Sequence, residues 1–522
     1  MKLTFLSFNS EPLVLRYMSS YLKENGHEVE IIYLKEEFNR NNISSLLNFL
    51  KKSKPDLVGL EVYTGWLKKA EFLTKIIQKK NNLQVIWGGA HVNTCPEESI
   101  NIADIICVGE GEEALLDLLN SLEKNKPINK IKNLWIRDKK SGEVIKNPVR
   151  NLVENLDKYP FPDYNPSDSY VLIKKRLKRL TKKDIEDIIS AKYSILGGRG
   201  CIFSCTYCCN HQNRKRYFGK GIYFRKRSIK NVIAELVWAK KNFKHINYIR
   251  IWDDLFMMRD INELKEFCEL YKEKINLPFS CRLQFTLVTD EILNLLKNAG
   301  VQDIELGIES GSERVRKEIF KRFTPPKKIL EVAGKLHKKN IETVYNIIFN
   351  NPYETVEDLK ECINLLIDFP RPLNLQGFNL IFLPGTEIYE RAIKDRFIFP
   401  QDFKSKIPKA PLFRFSYDNQ LDNFLYKINF ESKQKKYFNI LISLTPSFPK
   451  KFLRYAVDNK NLFTMSIVYS YVSIVKPIKL GIKVIFEWIR KHETIKAPLS
   501  RLLIKFPSLR KIAQFRKWES MN

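Results

Sequence analysis

The chain has 522 residues, with 89 Lys and Arg against 59 Asp and Glu, and a formal net charge of +30. This length is about three times that of a typical single domain, so we expect two to four domains. Hydrophobic residues make up 44% of the chain, and Gly and Pro number only 20 and 23, which excludes collagen-like and wholly disordered proteins. The excess of positive charge indicates anionic partners, such as nucleic acid, phosphorylated cofactors or an anionic membrane surface.

The chain shows no sign of export. Met1–Ser10 contains one Lys and a short apolar run typical of a strand, so we expect neither a signal peptide nor a transit peptide. The longest nearly uncharged apolar run, Leu462–Val475, is shorter than the roughly 20 residues of a spanning helix. Nine cysteines, four of them within Cys201–Cys209, do not resemble a disulfide framework. We therefore expect a cytoplasmic protein whose cysteines bind metal.

The first part of the chain alternates apolar runs typical of strands with helical segments, Leu13–Asn25 and Leu67–Lys79. The pattern predicts an α/β fold that begins with a Rossmann-like, doubly wound parallel sheet over residues 1–145, whose ligands bind at the carboxyl ends of the strands. A proline-bearing, weakly periodic stretch then predicts a linker over residues 146–190. The strands are predicted at Leu3–Phe8, Val29–Leu34, Leu57–Val62, Val85–Trp87 and Ile105–Val108.

Strands and helices alternate again over residues 191–400 in about six βα units, which favours a partial (β/α)6 TIM-like barrel. Residues 401–522 contain basic, aromatic-rich helical stretches and predict an α-helical C-terminal region. The predicted barrel strands are Tyr193–Leu196, Tyr248–Trp252, Ser280–Leu283, Asp303–Leu306, Thr343–Phe349 and Leu375–Leu383. The predicted barrel helices are Ser228–Lys241, Ile261–Lys274, Thr289–Ala299, Pro326–Lys338 and Thr355–Leu366.

The strongest chemical signal is the C-x3-C-x2-C spacing of Cys201, Cys205 and Cys208, directly after a predicted strand and the turn Gly197–Gly200. Three thiolates on one short loop can hold three irons of a [4Fe-4S] cluster and leave the fourth iron without a protein ligand. A zinc site is the alternative, but tetrahedral zinc prefers four ligands in paired C-x2-C clusters. The spacing therefore predicts a cluster with one open iron.

An aromatic residue, Tyr207, stands just before the third cysteine, and the completed motif resembles the radical S-adenosylmethionine (SAM) superfamily. The resemblance implies that SAM is cleaved at the open iron, so that Cys201, Cys205 and Cys208 are the catalytic and metal-binding residues. It also implies a set of SAM-binding residues, all on loops or strands of the predicted barrel. This set consists of Tyr207, Asp253, Asp254, Arg282, Glu309 and Ser310.

Each match outside the cysteine motif also has a structural interpretation. Asp253–Asp254 could cap the next helix, and Gly307–Ser312 could be an ordinary turn between a strand and a helix. The chain departs from the family at Asn350–Asn351, where members often have glycine before Pro-x-Glu-Thr, which leaves the backbone conformation there open. We interpret Cys209, next to the third ligand, as a bystander rather than a catalytic thiol.

Glycines at the ends of predicted strands form a second signal, because they let a large planar or phosphate-bearing ligand approach the backbone. Gly88-Gly89-Ala90-His91 closes the fourth strand, and Gly109-Glu110-Gly111-Glu112 closes the fifth. In order and spacing these runs resemble the cobalamin-binding domain found in front of many radical SAM enzymes. The resemblance implies a cobalamin-binding set consisting of Thr64, Gly88, Gly89, His91, Gly109 and Glu110.

The D-x-H-x-x-G element that supplies a histidine to cobalt in other cobalamin proteins is absent, and the corresponding loop is Phe8–Pro12. This absence argues against a cobalt ligand from that loop but not against cobalamin. Two roles remain open for His91, a cobalt ligand or a residue that orders its loop by hydrogen bonds. The alternative for the whole domain is a structural Rossmann-like fold without a cofactor.

The C-terminal region needs its own interpretation, because from Lys433 onward it has 19 Lys and Arg against 4 acidic residues. Amphipathic basic helices can lie on anionic membranes or follow nucleic-acid backbones. Three interpretations stay open: a helical cap with a solvated lysine-rich face, peripheral contact with the inner face of a membrane or a lipid substrate, and nucleic-acid binding. Nucleic acid is the least favoured partner, because no RNA-binding module is visible.

Together the resemblances imply a cobalamin-dependent radical SAM enzyme that uses a [4Fe-4S] cluster, SAM and cobalamin. They imply a class B type methyltransferase that methylates an unactivated carbon, or phosphorus, through a 5′-deoxyadenosyl radical and methylcobalamin. The expected partners are a small-molecule or lipid-like substrate and a reducing protein such as flavodoxin or ferredoxin. A non-methylating cyclase, oxidase or rearrangement enzyme is the alternative. An RNA-modifying methylthiotransferase is more distant, because the N-terminal domain has only Cys95 and Cys107 instead of a second cluster motif.

Overall fold

The computed structural model describes most of the chain up to the C-terminal region. The described residues are 1–9, 11–34, 40–138, 141–173, 176–256, 259–398 and 433–459, with Thr464 and Ile467. Most of the predicted C-terminal region, 401–522, and with it most of the basic tail, therefore lies outside the described residues. Within them, no helix is both long enough and apolar enough to cross a lipid bilayer.

A nine-stranded sheet forms the N-terminal domain, in the order β7-β6-β5-β4-β3-β1-β2-β8-β9. Strands β1 to β5 and β8 are parallel to one another, whereas β6, β7 and β9 are antiparallel additions at the two edges. The five predicted strands are confirmed to within one or two residues. The strands are β1 Lys2–Ser7, β2 Glu28–Tyr33, β3 Leu57–Glu61, β4 Val85–Gly88, β5 Ile105–Cys107, β6 Leu134–Arg137, β7 Val144–Lys146, β8 Ser169–Ile173 and β9 Arg176–Arg179.

Helices cover both faces of this sheet, as expected of a doubly wound fold. Alternate side chains of a strand point to opposite faces, so that Leu3 and Phe5 join one buried core and Leu6 joins the other. Helices α1 and α6 pack in the first core, and α2 and α3 pack in the second. The helices are α1 Leu13–Glu24, α2 Arg40–Ser53, α3 Leu67–Asn81, α4 Ala90–Thr94, α5 Pro96–Ile100 and α6 Glu112–Glu123.

The segment predicted as a linker, 146–190, is more ordered than its sequence indicated. It contains β8, which pairs with β2, the hairpin strand β9 and helix α7, Lys182–Ile189. Thr181 and Asp184 form a capping box at the start of α7. The strand was missed because its apolar run is short and follows several prolines, while its stability comes from pairing with a distant strand.

Six parallel strands form the second sheet, in the order β10-β13-β14-β15-β16-β17, which confirms the predicted partial barrel. Cys281 and Ile304 are buried toward the helices, whereas Glu305 and Glu309 line the concave face. The strands are β10 Lys192–Ile195, β13 Tyr248–Ile251, β14 Phe279–Leu283, β15 Val301–Glu309, β16 Glu342–Phe349 and β17 Asn374–Asn379; a separate small hairpin contains β11 Gly198–Arg199 and β12 Arg225–Lys226. The helices are α8 Cys209–Arg216, α9 Ile229–Asn242, α10 Ile261–Lys274, α11 Asp290–Ala299, α12 Pro326–Lys338, α13 Val356–Asp368 and α14 Glu387–Lys394.

Two further helices, α15 Lys433–Leu444 and α16 Lys450–Asp458, pack on the outside of the barrel against α13. Tyr437 and Leu441 are fully buried there, and Arg454 pairs with Asp368 at 2.9 Å. The described part of the C-terminal region thus covers the barrel, as a helical cap does.

The N-terminal domain contacts the barrel through α1 and α9. Arg227 and Glu235 form an ion pair at 2.6 Å with side chains only 7% and 0% exposed. The hydroxyls of Tyr17, from α1, and Tyr193, from β10, both donate to the other oxygen of Glu235, at 2.8 and 3.0 Å. A buried polar network therefore joins the two domains.

Candidate functional site

The cysteine loop begins where β10 ends, and Asp253 holds its first turn. One carboxylate oxygen of Asp253 accepts the backbone N–H groups of Gly197 at 2.6 Å and Gly198 at 3.1 Å. At Gly200, φ is +86°, and a Cβ there would lie 2.7 Å from the carbonyl oxygen of Tyr223, so only glycine fits. Asp253 thus shapes the loop and caps no helix, since Asp260 caps α10, and its role in SAM binding stays a prediction.

The three cysteines of the motif lie together on this loop, Cys205 buried and Cys201 and Cys208 half-buried. The ligands of a single zinc ion all lie about 2.0 to 2.3 Å from it and are therefore close to one another. Among the described residues, the three cysteine sulfurs do not all lie within 4.8 Å of one another. Their wider arrangement fits a multi-iron cluster, with one iron for each thiolate. Burial raises the pKa of Cys201 to about 11, so loading the cluster must displace thiol protons.

Arg322 connects the cysteine loop to the barrel. One guanidinium nitrogen lies 3.5 Å from the Cys205 sulfur and 3.4 Å from the Tyr207 hydroxyl. The other donates to the carbonyl oxygen of Gly307 at 2.6 Å and lies 3.3 Å from the side chain of Gln284. The side chain is only 11% exposed. The sequence prediction missed Arg322, which belongs to no motif and lies in a loop after the glycine-rich segment.

Glu309 folds back over Gly307 and points toward Arg322. Its φ is +66°, in the left-handed region, and its carboxylate lies 3.9 Å from the Arg322 guanidinium. A Cβ at Gly307 would collide with this carboxylate, so a larger residue there would displace the Glu309 side chain. Burial raises the pKa of Glu309, while Arg322 opposes the shift. Glu309, Tyr207 and Cys205 therefore meet around one buried cation.

Ser310, the next residue of the predicted SAM-binding set, faces away from this point. It is buried, and its hydroxyl donates to Glu354 at 2.8 Å. Glu354 belongs to the Pro-Tyr-Glu-Thr match, so the two motifs hold each other in place. Asn350 has a φ of +59°, a left-handed conformation that asparagine tolerates. Asn350 thus adopts a left-handed backbone conformation that is also open to the glycine often found there in the family.

Charged side chains line the concave face of the barrel beside the cysteine loop. The Nε of Arg282 donates to Glu305 at 2.9 Å, and the guanidinium lies 4.4 Å from the centre of the Trp252 ring. Asn346 donates to the other oxygen of Glu305 at 3.0 Å. Asp254 accepts hydrogen bonds from Asn210 and from the backbone of Gly200, next to Cys201. Asp254 therefore lies beside the cysteine loop with Arg282 near it, and the roles of both in SAM binding stay predictions.

The carboxyl edge of the N-terminal sheet offers an open, aromatic surface. The space beside Gly88 is empty, whereas a Cβ at Gly89 would lie 2.9 Å from the carbonyl oxygen of Val62. The Trp66 ring packs against Phe8 and Tyr63, with centroids 5.7 and 5.1 Å apart. These three half-buried rings leave apolar contact area at this edge of the sheet. Burial raises the pKa of Tyr63, and the negative charges of Glu61 and then of the nearby Cys209 add to the shift.

His91 and Thr64 lie behind this edge, inside the domain. The Nδ1 atom of His91 is 3.2 Å from the Thr64 hydroxyl, and the side chains are 0% and 5% exposed. A fully buried imidazole does not reach the open edge. The contact favours the interpretation that His91 orders its loop over the interpretation that it binds cobalt.

Gly109 and Glu110 face the barrel. The hydroxyl of Tyr217 accepts the Glu110 N–H at 2.7 Å and occupies the space that a Cβ at Gly109 would need. The Glu110 carboxylate pairs with Arg225 and, at 3.2 Å, with Arg199, which is also paired with Glu112 at 2.6 Å. Arg199 stands two residues before Cys201. These predicted cobalamin residues therefore connect the N-terminal domain to the cysteine loop.

Glu61, at the end of β3, leads to a prediction about pH. It is 6% exposed, one oxygen accepts the Tyr63 hydroxyl at 2.8 Å, and the other has no hydrogen-bond partner. Burial raises its pKa from 4.5 to about 7. A raised carboxyl pKa stabilises the fold at low pH, and this stabilisation is lost as pH rises through 7. Glutamine does not titrate. We therefore expect the free energy of unfolding of Glu61→Gln, relative to that of the wild type, to rise by about 2 to 3 kcal/mol from pH 5 to pH 8.

The measurement is urea unfolding of both proteins, free of cobalamin, at several pH values. Glu97→Gln is the matched control, because the Glu97 side chain is 67% exposed and its replacement should leave the pH profile unchanged. Parallel profiles for the wild type and Glu61→Gln would contradict the assignment.

Two family models match the chain, and they fall on the two domains described above. A model of the radical SAM superfamily matches residues 195–366, and a model of the B12 binding domain matches residues 6–119. The chain is a cobalamin-binding radical SAM enzyme. Its radical SAM domain implies a [4Fe-4S] cluster and SAM, and its B12 domain implies cobalamin.

Two methyltransferases are similar to this chain over more than half of its length. The uncharacterized methyltransferase PH0819 of Pyrococcus horikoshii is 26% identical over 429 residues, covering 80% of this chain and 86% of that protein. The cytidylyl-2-hydroxyethylphosphonate methyltransferase of Streptomyces wedmorensis is 24% identical over 354 residues, covering 60% of this chain and 63% of its own.

Solved structures show the same fold. The radical SAM methyltransferase TsrM of Kitasatospora setae, with tryptophan and a SAM analogue bound, superposes with a TM-score of 0.62, at 17% identity and 76% coverage of both chains. The cobalamin-dependent SAM radical enzyme OxsB, with aqua-cobalamin and SAM bound, superposes with a TM-score of 0.60, at 18% identity, over 97% of this chain and 75% of that chain.

Proposed function

We propose that this radical SAM enzyme methylates an unactivated carbon, or phosphorus, of a small-molecule or lipid-like substrate. The observation that carries the proposal is the similarity to the methyltransferase PH0819, which covers 80% of this chain. The phosphonate methyltransferase supports the same reaction class. A reducing protein such as flavodoxin or ferredoxin belongs to the proposal, because reductive cleavage of SAM requires an electron.

When bound, the cluster and cobalamin supply the radical and methyl-transfer chemistry. The chain's own residues bind and orient. Cys201, Cys205 and Cys208 would hold the cluster. Arg322 and Glu309 would hold the residues beside the cluster in place through their contact with each other, and Arg282 and Asp254 would bind polar groups of SAM. A rigid site of this kind lowers the activation barrier by holding the reacting groups in place before the reaction begins.

The N-terminal sheet edge and the cysteine loop would enclose the substrate. Tyr63 and Trp66 offer the sheet edge an aromatic surface for the corrin, and Tyr63 lies near Cys209 of the cysteine loop. The ion pairs of Arg199 with Glu110 and Glu112 keep the two parts together. Closure of the two parts around the substrate would exclude water from the reaction.

The test is anaerobic turnover of protein loaded with iron, sulfide and hydroxocobalamin, with SAM and a strong reductant. We expect mass spectrometry to detect both 5′-deoxyadenosine and S-adenosylhomocysteine, the product of SAM after loss of its methyl group. Cys205→Ala should abolish 5′-deoxyadenosine formation. Cys209→Ser, on the same loop, is the matched control and should retain it.

The two products separate the proposed reaction from its alternative. 5′-Deoxyadenosine without S-adenosylhomocysteine would favour a non-methylating cyclase, oxidase or rearrangement enzyme. Neither product from protein with full iron and cobalamin content would contradict the proposed mechanism altogether.

A further inference from the structure

A second group of metal-binding side chains lies in the N-terminal domain, apart from the cysteine loop. It consists of His91 on α4, Cys95 between α4 and α5, and Glu98 on α5. One donor atom from each, an imidazole nitrogen, a thiol sulfur and a carboxylate oxygen, lies within 4.8 Å of the other two. Zinc in proteins binds these three types of donor atom, His nitrogen, Cys sulfur and Glu oxygen.

The imidazole of His91 is prepared for a ligand that the described protein does not supply. Its side chain is 0% exposed, and its Nε2 atom has no hydrogen-bond partner. The nearest carboxylate oxygen, from Glu98, is 3.9 Å from Nε2, too far for a hydrogen bond. On the other side of the ring, the Thr64 hydroxyl is 3.2 Å from Nδ1. With the Nδ1 proton donated to Thr64, Nε2 keeps its lone pair 3.9 Å from a carboxylate oxygen of Glu98, as in metal sites where the second nitrogen fixes the ring.

The charges of the group suit a divalent cation. A neutral imidazole supplies one lone pair to a bound cation. A thiolate from Cys95 and a carboxylate from Glu98 would together balance two positive charges. The thiol proton would leave to solvent on binding, as it does when cysteine binds zinc elsewhere.

We propose that His91 Nε2, Cys95 Sγ and a carboxylate oxygen of Glu98 bind one zinc ion, separate from both the cluster and cobalamin. The ion would pin the loop after β4, which packs against the barrel. Helix α4 contacts α8, Arg216 donates to the carbonyl oxygen of Asn93, and the Asn93 side chain accepts the Gly109 N–H at 2.6 Å. Zinc would thereby stabilise the face on which the two domains meet.

The test uses the full chain, free of cobalamin, with Cys201, Cys205, Cys208 and Cys209 all replaced by Ser, so that no thiol remains on the cysteine loop. Titration with Co²⁺ alone reports on the site, because tetrahedral Co²⁺ bound to thiolate absorbs strongly in the near ultraviolet. We expect one equivalent to bind with this absorption, and Zn²⁺ to displace it.

Further replacement of Cys95 by Ser should remove the charge-transfer absorption and weaken binding by about 100-fold or more. Cys107→Ser in the same background is the matched control, because Cys107 is also buried in this domain and belongs to no such group. Absorption that persists after Cys95→Ser, or its absence in the starting background, would overturn the proposal.

Glu98→Gln keeps the proposal testable if Cys95→Ser fails to fold, as judged by circular dichroism. Glu98 is 20% exposed, so its replacement leaves the buried residues in place. We expect Co²⁺ affinity to fall by about 10-fold or more in this variant. Unchanged affinity in a folded Glu98→Gln protein would overturn the proposed ligand set.

Discussion

Arg322→Gln is expected to lower 5′-deoxyadenosine formation by about 100-fold, because a small displacement of reacting groups has an effect of this size. The guanidinium contacts Cys205, Tyr207 and the Gly307 carbonyl. Glutamine is shorter and neutral, so it cannot reach all of these partners. It also leaves the Glu309 carboxylate buried without its cation. The measurement is the rate of SAM cleavage by the loaded, reduced enzyme, together with SAM affinity.

Lys321→Gln is the matched control for this prediction. Lys321 is the adjacent residue, and its side chain is 42% exposed in an ion pair with Glu387, so its replacement should leave the rate unchanged. Arg322→Lys keeps the charge but not the planar fork, and we expect an intermediate rate. A normal rate in Arg322→Gln, at full iron content, would contradict the role of Arg322 as a positioning residue.

The cysteine loop could be predicted from the sequence because its information is local. Three ligands within eight positions and a glycine turn before them need no knowledge of the rest of the fold. Most strands and helices were predicted for the same reason, since their periodicity lies within each element. The Arg322 contacts were not predictable in this way, because the side chains that it contacts, Cys205 and Tyr207, lie 117 and 115 residues away.

Residues at strand ends were harder to assign. Some residues at the carboxyl edge of the N-terminal sheet lie at the open aromatic surface, whereas others contact the barrel. Sequence position alone does not distinguish these two groups of residues. Gly88 lies beside open space, as expected of a residue near a ligand. Glu110 instead pairs with Arg199 and Arg225 of the barrel. The roles of both in cobalamin binding stay predictions.

The second large effect is expected at the interface of the two domains, from Arg227→Met. This change leaves the Glu235 carboxylate, 0% exposed, buried without a cation, which destabilises a protein by about 3 to 5 kcal/mol. The hydroxyls of Tyr17 and Tyr193 still donate to it, but two neutral donors do not replace a full positive charge. The free energy of unfolding, measured by urea titration, should fall by that amount.

The double variant Arg227→Met/Glu235→Leu separates the cost of an unpaired charge from the loss of contacts. With both charges gone, most of the stability should return, because replacing a buried ion pair by apolar residues is often neutral. An exposed pair gives the comparison: Lys265 and Glu291 are 45% and 57% exposed, and Lys265→Met should change stability by less than about 1 kcal/mol. A loss as small as this in Arg227→Met would show that the network does not hold the domains together. A full loss that the double variant fails to restore would assign the effect to packing at the interface instead of to charge.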